Sequence, residues 1–560
     1  MISINESFDQ FRELRESGVY YADKTELLYE YLEKSFKKAI LFTRPKRFGK
    51  TLTMTMFRDF LDITQDNRKI FEGLAVMNHT KLIDDFMNQY PVVFLSLKDV
   101  YGDTFESAFE MLRVEISRLC EANRFLLNSI KVSDASKLFF ERLQYREGNV
   151  ADTIQALDLL AQMMHSHFGY PAFILIDEYD TPMTKTAGYR CHAKVQDMIE
   201  KMLSLVCKTN YHVKGVLLSG VFHTVKNSSY ESVNNIITCS VLSPEYDSMI
   251  GFTEEDVKKL LTDAGLEGTF PVIRDWYDGY IFGNRHMYCP WDVLRHVSSI
   301  LCGAFLPLGE PMGYWSDNAL NSCPFIKTIL SRGQDSIENL EQLIAGKTIE
   351  KYIDDSLPNR RDIASEESLW GLLLESGYLT KSDKEVYELL EMRIPNRRIQ
   401  YVFQREVWAF LKNRIPHSHV NRMIGSLWAG DKNAQGELSL VLAESLGCFQ
   451  TVHEYTSHMI LCSIFTGLRY QVRSEQALGY GRSNLVVLDP AKKRGLILML
   501  KHPEKQADHG SLFSESLIPA AVKEIAAALR KEGYQMIRCY SITCYQEKKE
   551  AEDIIKENTQ

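Results

Sequence analysis

The sequence has eleven cysteines but lacks any C-x-x-C pair, and the number is odd. A zinc ribbon needs that spacing, and a disulfide framework needs an even, regular set. Reduced thiols in a cytoplasmic protein are therefore the expectation. The fourteen histidines form no H-E-x-x-H spacing, which excludes that kind of helical metalloprotease site. No apolar run reaches the roughly 18 residues that a membrane-spanning helix requires. The opening "MISINESFDQ" has no basic stretch leading into an apolar one, so no signal peptide is expected. Basic excess is missing too: 65 Lys and Arg stand against 74 Asp and Glu, for a net charge of −9. That argues against a strongly basic nucleic-acid protein and leaves only a local basic groove open. There is no tandem repeat and no low-complexity tract.

What is present is 560 residues of ordinary globular composition, 45% hydrophobic and 25% charged. That length accommodates about two to four domains. Short apolar runs alternate with helix-length segments. Apolar spacing from Thr25 to Lys38 predicts a helix. "KAILFT" predicts a buried strand, and "TLTMTMFRDFL" a helix starting directly after Lys50-Thr51. Tyr90 to Asp99, Pro171 to Asp180 and His212 to Gly220 predict three further strands. Asp103 to Glu121 and Val150 to His167 predict helices between them. Strands joined by crossover helices make a parallel sheet. From "GFTEEDVKKLL" to about Asn396 the pattern is mostly helical. Beyond Ile394-Pro395-Asn396 a second, smaller α/β unit is expected. The reading is α/β in three regions: 1–285, 286–395 and 396–560.

The first strand runs into "TRPKRFGKT", which ends as a phosphate loop ends. A polyphosphate is held by backbone N–H groups that converge at a helix N-terminus. Gly49 permits close backbone approach, Lys50 reaches β- and γ-phosphates, and the Thr51 hydroxyl suits Mg²⁺. The pattern G-x-x-x-x-G-K-[ST] is incomplete, because Arg44 occupies the place of its first glycine. The third strand, "FILIDEYD", delivers Asp177 and Glu178 to a carboxyl end, where ligands of open α/β sheets collect. Asp177 suits water-mediated support of Mg²⁺, and Glu178 suits preparation of an attacking water. Asp180 reads as a helix cap or a supporting group. Ser219 ends the fourth strand, either to touch the γ-phosphate or as a turn serine before Gly220. Loop and acids together favour a P-loop ATPase.

These residues resemble a known family, the bacterial and archaeal AAA-ATPase-like proteins joined to a PD-(D/E)XK nuclease-like domain. The stretches that carry the resemblance are "YYADKTELL", "FTRPKRFGKTLTMTMFRDF", "FEGLAV", "YPVVFLSLKD", "ILIDEYDTPM", "GFTEEDV", "WYDGY", "PWDVL" and "SGYLT", in that order. The resemblance implies a P-loop NTPase parallel sheet, a helical middle region and a C-terminal restriction-endonuclease-like α/β domain. It implies ATP with Mg²⁺ as cofactors, held by Arg44, Pro45, Lys46, Arg47, Phe48, Gly49, Lys50 and Thr51 with Ser219. In that family the loop reads R-P-[RK]-R-F-G-K-T, so Arg44 is its variant, and Pro45 can stiffen the turn. Arg44 and Arg47 are left to add charge near the phosphates or to pair with acids. One departure stands out: where the family has an Arg shortly after the fourth strand, this chain has His223.

The C-terminal part resembles the nuclease domain through "RSEQALGYGRSNLVVLDP" and "GLILMLKHP". Active members place acids and a lysine around Mg²⁺ and the scissile phosphate. Here the acid positions fall at Ala477, Asn484 and Met499, and only Lys501 remains. Neither an amide nor a thioether replaces a carboxylate toward a hard cation. Acids moved in from Glu475, Asp489 or Glu524 are the alternative. The expectation is a retained fold that does not cleave. Nucleic-acid binding through Arg482 and Lys501, and self-association into a homo-oligomer, stay open as partners; a membrane is not expected.

Overall fold

The computed structural model describes residues 2–303 except 35, 208–209, 224–232 and 234–235, and residues 323–543 except 333, 354–365, 383–388, 450–454, 477–482 and 502–519. The chain divides into two compact units. One comprises Met1–Gly313 with Lys351–Leu390, the other Tyr314–Glu350 with Glu391–Gln560. Residues of the 286–395 stretch are thus shared between them.

The first unit is built on β1 (Ala39–Thr43), β2 (Val92–Ser96), β3 (Ala172–Asp177), β4 (Val213–Gly220) and β5 (Ile237–Cys239). All neighbours are parallel, in the order β2-β3-β4-β1-β5. Alternate residues of each strand feed two cores. Leu41, Leu95, Ile174, Ile176, Val216 and Leu218 pack on one side. Ile40, Phe42, Phe173, Leu175 and Leu217 pack on the other. Burial on both faces explains why these strands read as unbroken apolar runs. Around the sheet lie α1 (Lys50–Leu61), α2 (Phe105–Ala122), α3 (Ala156–Phe168), α4 (Thr181–Thr186) and α5 (His192–Cys207). Thr104 caps α2 by accepting from the Ser107 N–H at 3.2 Å. Gly169, at φ +85°, ends α3 in the left-handed conformation that a side chain would resist.

Several expected elements are trimmed or divided. The helix predicted from Thr25 to Lys38 is a short turn, Glu26–Tyr29, running into a wider-pitched Glu30–Lys34. The Tyr31 hydroxyl then donates to the Lys37 carbonyl, turning the chain toward β1. The helix predicted over Val150–His167 is two, Val150–Ile154 and α3. The middle region, expected to be mostly helical, also holds a hairpin of β6 (Tyr280–Phe282) and β7 (Arg285–Met287). It is followed by α6 (Pro290–Leu301) and, later in the chain, α7 (Glu366–Glu375).

The second unit contains α8 (Arg397–Leu411) and α9 (Thr456–Gly467) and a four-stranded sheet. Its strands are β8 (Gln471–Gln476), β9 (Ser483–Asp489), β10 (Arg494–Lys501) and β11 (Met536–Thr543), in sequential order. β8, β9 and β10 form an antiparallel meander. β11 returns parallel to β10 through α10 (Ala520–Lys531). Among the described residues no helix is long and apolar enough to cross a membrane.

Candidate functional site

Register sets the site. Phe42 of β1 pairs with Ser219 of β4, Thr43 with Gly220, and Ser96 of β2 with Asp177 of β3. The carboxyl ends of β1, β4 and β3 therefore finish level, with β4 between the loop strand and the acid strand. The loop turns into α1 through Gly49, whose φ of +93° needs glycine. The Lys50 ammonium is almost fully buried and donates to the Pro45 carbonyl at 3.2 Å. Thr51, one residue on, donates its hydroxyl to Asp177 Oδ2 at 2.7 Å. Ser219 donates to the other oxygen of the same carboxylate.

Asp177 is 2% exposed, and burial raises its pKa against the lowering by the Ser219 and Thr51 hydroxyls. Glu178 sits at φ +52°, a left-handed conformation that costs a non-glycine residue roughly 1–3 kcal/mol. Its carboxylate accepts from the Thr181 hydroxyl at 3.2 Å. Strain of this kind collects at functional sites. Here the two consecutive acids have different partners, Thr51 and Ser219 for Asp177 and Thr181 for Glu178.

Asp180, expected as a cap or supporting group, makes no side-chain cap bond to α4. Instead Oδ2 accepts from the backbone N–H groups of Val221 and Phe222 at 3.2 and 3.0 Å. Among the described residues its other oxygen is buried without a hydrogen-bond partner, and burial pushes its pKa up to about 6. The Tyr179 hydroxyl closes the same turn by donating to the Phe222 carbonyl at 2.6 Å.

The Arg44 side chain is held by backbone carbonyls. It is fully buried and donates to the carbonyls of Thr43, Cys239 and Ser240 at 2.9 Å each, and of Tyr246 at 3.0 Å. Its guanidinium lies 5.3 Å from the Phe282 ring centre. Burial lowers its pKa to about 10, so it stays cationic at neutral pH. Its partners are carbonyls, so it binds the root of the loop to β5 and the chain beyond; phosphates and acids play no part in these bonds. Arg47, at φ +71°, stacks its guanidinium 3.6 Å from the Trp291 ring centre. Lys46 is exposed at the crest of the loop, whereas Pro45 is buried. Phe48 is also buried and packs on Tyr280 and Phe282 of the β6–β7 hairpin, at 5.2 and 5.0 Å between ring centres.

The aromatic and glycine stretches downstream thus converge behind the loop. A Cβ at Gly251 would meet Phe48 at 2.9 Å, and one at Gly377 would meet Pro45 at 2.8 Å. Glu375, at the end of α7, accepts from the His223 N–H at 3.2 Å. It is buried, and that burial pushes its pKa up to about 8. Sequence reasoning missed Glu375. The available signal was a single acid inside the apolar run "LWGLLLESGYL". His223, the departure noted above, lies within 3.0 Å of the Thr238 hydroxyl through Nε2.

The donor set here, the Thr51 hydroxyl and the Asp177 and Glu178 carboxylates, is hard oxygen. That suits Mg²⁺, and Lys50 at a helix N-terminus suits phosphate. Among the described residues no group of three or more His, Cys, Asp or Glu side chains is arranged to hold a metal by itself.

In the second unit, Glu475, Asn484, Met499 and Ser541 occupy one row across β8, β9, β10 and β11. Met499 is buried with Val486, Leu488 and Ile497. Lys501 ends β10 opposite Thr543. Ala477 and Arg482 lie outside the described residues. Of the acids considered as replacements, Asp489 stands at the far end of β9 and is paired with Arg494 at 2.9 Å. Glu524 is exposed on α10. Glu475 alone shares the row.

Residues 6–229 match the model of a family described as predicted AAA-ATPase. The match spans the loop, both acids and Ser219. Over 507 residues the chain is 24% identical to a protein of Azotobacter chroococcum mcd 1 described as an uncharacterized protein in the vnfD 5' region, covering 85% of each chain.

Proposed function

We propose that the first unit binds ATP with Mg²⁺ and hydrolyses it. The observation that carries this reading is the Asp177 carboxylate held between the Thr51 and Ser219 hydroxyls. Loop, intervening strand and acid strand converge there on one point. Lys50 leaves the Pro45 carbonyl for the β- and γ-phosphates. Thr51 supplies its hydroxyl, and Asp177 a carboxylate, toward Mg²⁺. Bound there, Mg²⁺ neutralises charge on the phosphate oxygens. Glu178, set apart by its left-handed backbone, orients the attacking water and takes its proton. The buried Arg44 and Phe48 keep the loop in one shape before nucleotide arrives, which lowers the ordering cost of binding.

A second reading has its own support: nucleotide is bound with little turnover and acts as structural glue. His223 replaces a permanent cation by an imidazole, and that imidazole is engaged with Thr238. Glu178→Gln separates the two. Under hydrolysis, phosphate release falls by about 10²–10⁴-fold with ATP binding retained. Under the second reading the parent chain has almost no release to lose.

For the second unit we propose a nuclease-like fold that does not cleave. The meander followed by a parallel return strand supports the fold. The Asn484–Met499 pairing at the expected acid positions supports the loss of cleavage.

A further inference from the structure

Three residues of one short stretch touch three separate places: the chain past β4, the phosphate loop and the β6–β7 hairpin. Glu375 accepts from the His223 N–H, just past the end of β4. Gly377, at φ +80°, lies against Pro45 with no room for a Cβ. The Thr380 hydroxyl oxygen accepts from the Ile281 N–H at 2.8 Å, on the hairpin that packs against Phe48. Residues 375–380 thus form a strap across β4's end, the loop and the loop's aromatic support.

Two of these contacts lead to groups that nucleotide would move. Lys50 now donates to the Pro45 carbonyl. A phosphate that takes the ammonium removes that bond from the residue on which Gly377 rests. Ser219 now donates to Asp177. A cation at Asp177 alters the end of β4, four residues before the N–H that Glu375 receives. Val221, Phe222 and His223 present three consecutive N–H groups to two buried carboxylates, Asp180 and Glu375. No salt bridge to either acid occurs among the described residues, so their hold on this turn is through backbone donors. The stretch Lys351–Leu390 is also flanked in sequence, on both sides, by residues of the second unit.

Resting on the nucleotide reading above, we propose that Glu375 is a positioning residue of the nucleotide site, through which the 375–380 strap registers whether the phosphate loop is filled. The strap then shifts between two packings, and by linkage its state changes nucleotide affinity by the same factor that nucleotide changes the strap.

Hydrogen exchange of the full chain, with and without a non-hydrolysable ATP analogue and Mg²⁺, tests this. Amides of 374–381 are expected to change exchange rate, and the coupling, read as affinity, is expected to be about 5–150-fold. Glu375→Gln keeps an oxygen that accepts from His223 and retains the response. Glu375→Ala loses it, and its analogue affinity changes by the same factor. If Glu375→Ala does not fold, Gly377→Ala, which keeps the carboxylate but presses on Pro45, must lose the response instead. Protection of residues 44–51 with no change across the strap overturns the inference and leaves the nucleotide reading standing. Equal loss in the Gln and Ala variants also overturns it. Absence of protection at 44–51 in the parent chain defeats the nucleotide reading beneath it.

Discussion

The two sheets of this chain differ most at the row where each would do chemistry. In the parallel sheet, β3 ends in Asp177 and Glu178, and hydroxyls from the two neighbouring elements close on the first of these. In the mixed sheet the corresponding row reads Glu475, Asn484, Met499 and Ser541, and Met499 is part of an apolar cluster. Both rows are set by backbone pairing, which persists whatever the side chains become. The difference teaches that strand order positions a site, while a few side chains decide whether it has any charge to work with.

The largest expected effect puts the two sheets side by side. Glu178→Gln lowers phosphate release by about 10²–10⁴-fold, while the parent chain leaves supercoiled plasmid intact with Mg²⁺ or Mn²⁺. Nicking by the parent chain that Glu178→Gln leaves unchanged would break the contrast. Glu475, the one acid in the second row, would then be the first residue to replace.

Next in size is Arg44→Ala. Four carbonyls lose donors, two of them buried and two partly buried, a buried one costing about 1–3 kcal/mol when left unsatisfied, with water recovering part. A loss of about 3–5 kcal/mol from the first unit is expected in urea unfolding, on the scale of breaking a buried ionic contact. A loss under 1 kcal/mol would show that the loop root is held by packing alone.

The loop, its helix and the acid strand were legible because each depends on neighbours in sequence. A strand buried on both faces is an apolar run, and a phosphate loop is a run of adjacent residues. The brace on Arg44 was not legible. Its partners at Cys239, Ser240 and Tyr246 are carbonyls, which every residue carries and which therefore leave no mark in sequence. Phe48 looked like one letter of a motif, and only the hairpin at Tyr280 and Phe282 gives it a packing role. The division into units was hidden for a related reason. Residues 314–350 belong with 391–560, and such pairing across a long insertion has no local signature.

A smaller effect follows from two buried glutamates, one in each unit. Glu375 and Glu341 are both pushed up to about 8 by burial. A raised carboxyl pKa means the folded state holds a proton that the unfolded state releases. Stability from each is complete below the ordinary value of 4.5 and is lost as pH rises through about 8. Glu375→Gln and Glu341→Gln should each flatten the decline of melting temperature between pH 5 and 8, roughly within that window. Equal slopes in parent and variants would mean that water reaches these carboxyls and they titrate normally.

The smallest effect tests the second sheet at the far end of β9, away from the silent row. Asp489 accepts from Arg494 Nε at 2.9 Å, and the Arg494 guanidinium lies 4.2 Å from the Trp428 ring centre. Both partners are only 14–15% exposed at the side chain, so the pair lies between a surface bridge and a buried one. Asp489→Asn should cost about 1 kcal/mol, between the values for exposed and buried pairs. The cost should be the same with and without Mg²⁺, because Arg494 already occupies the carboxylate. A loss that appears only when Mg²⁺ is present would place a cation at Asp489 and reopen the second sheet as a site of metal chemistry.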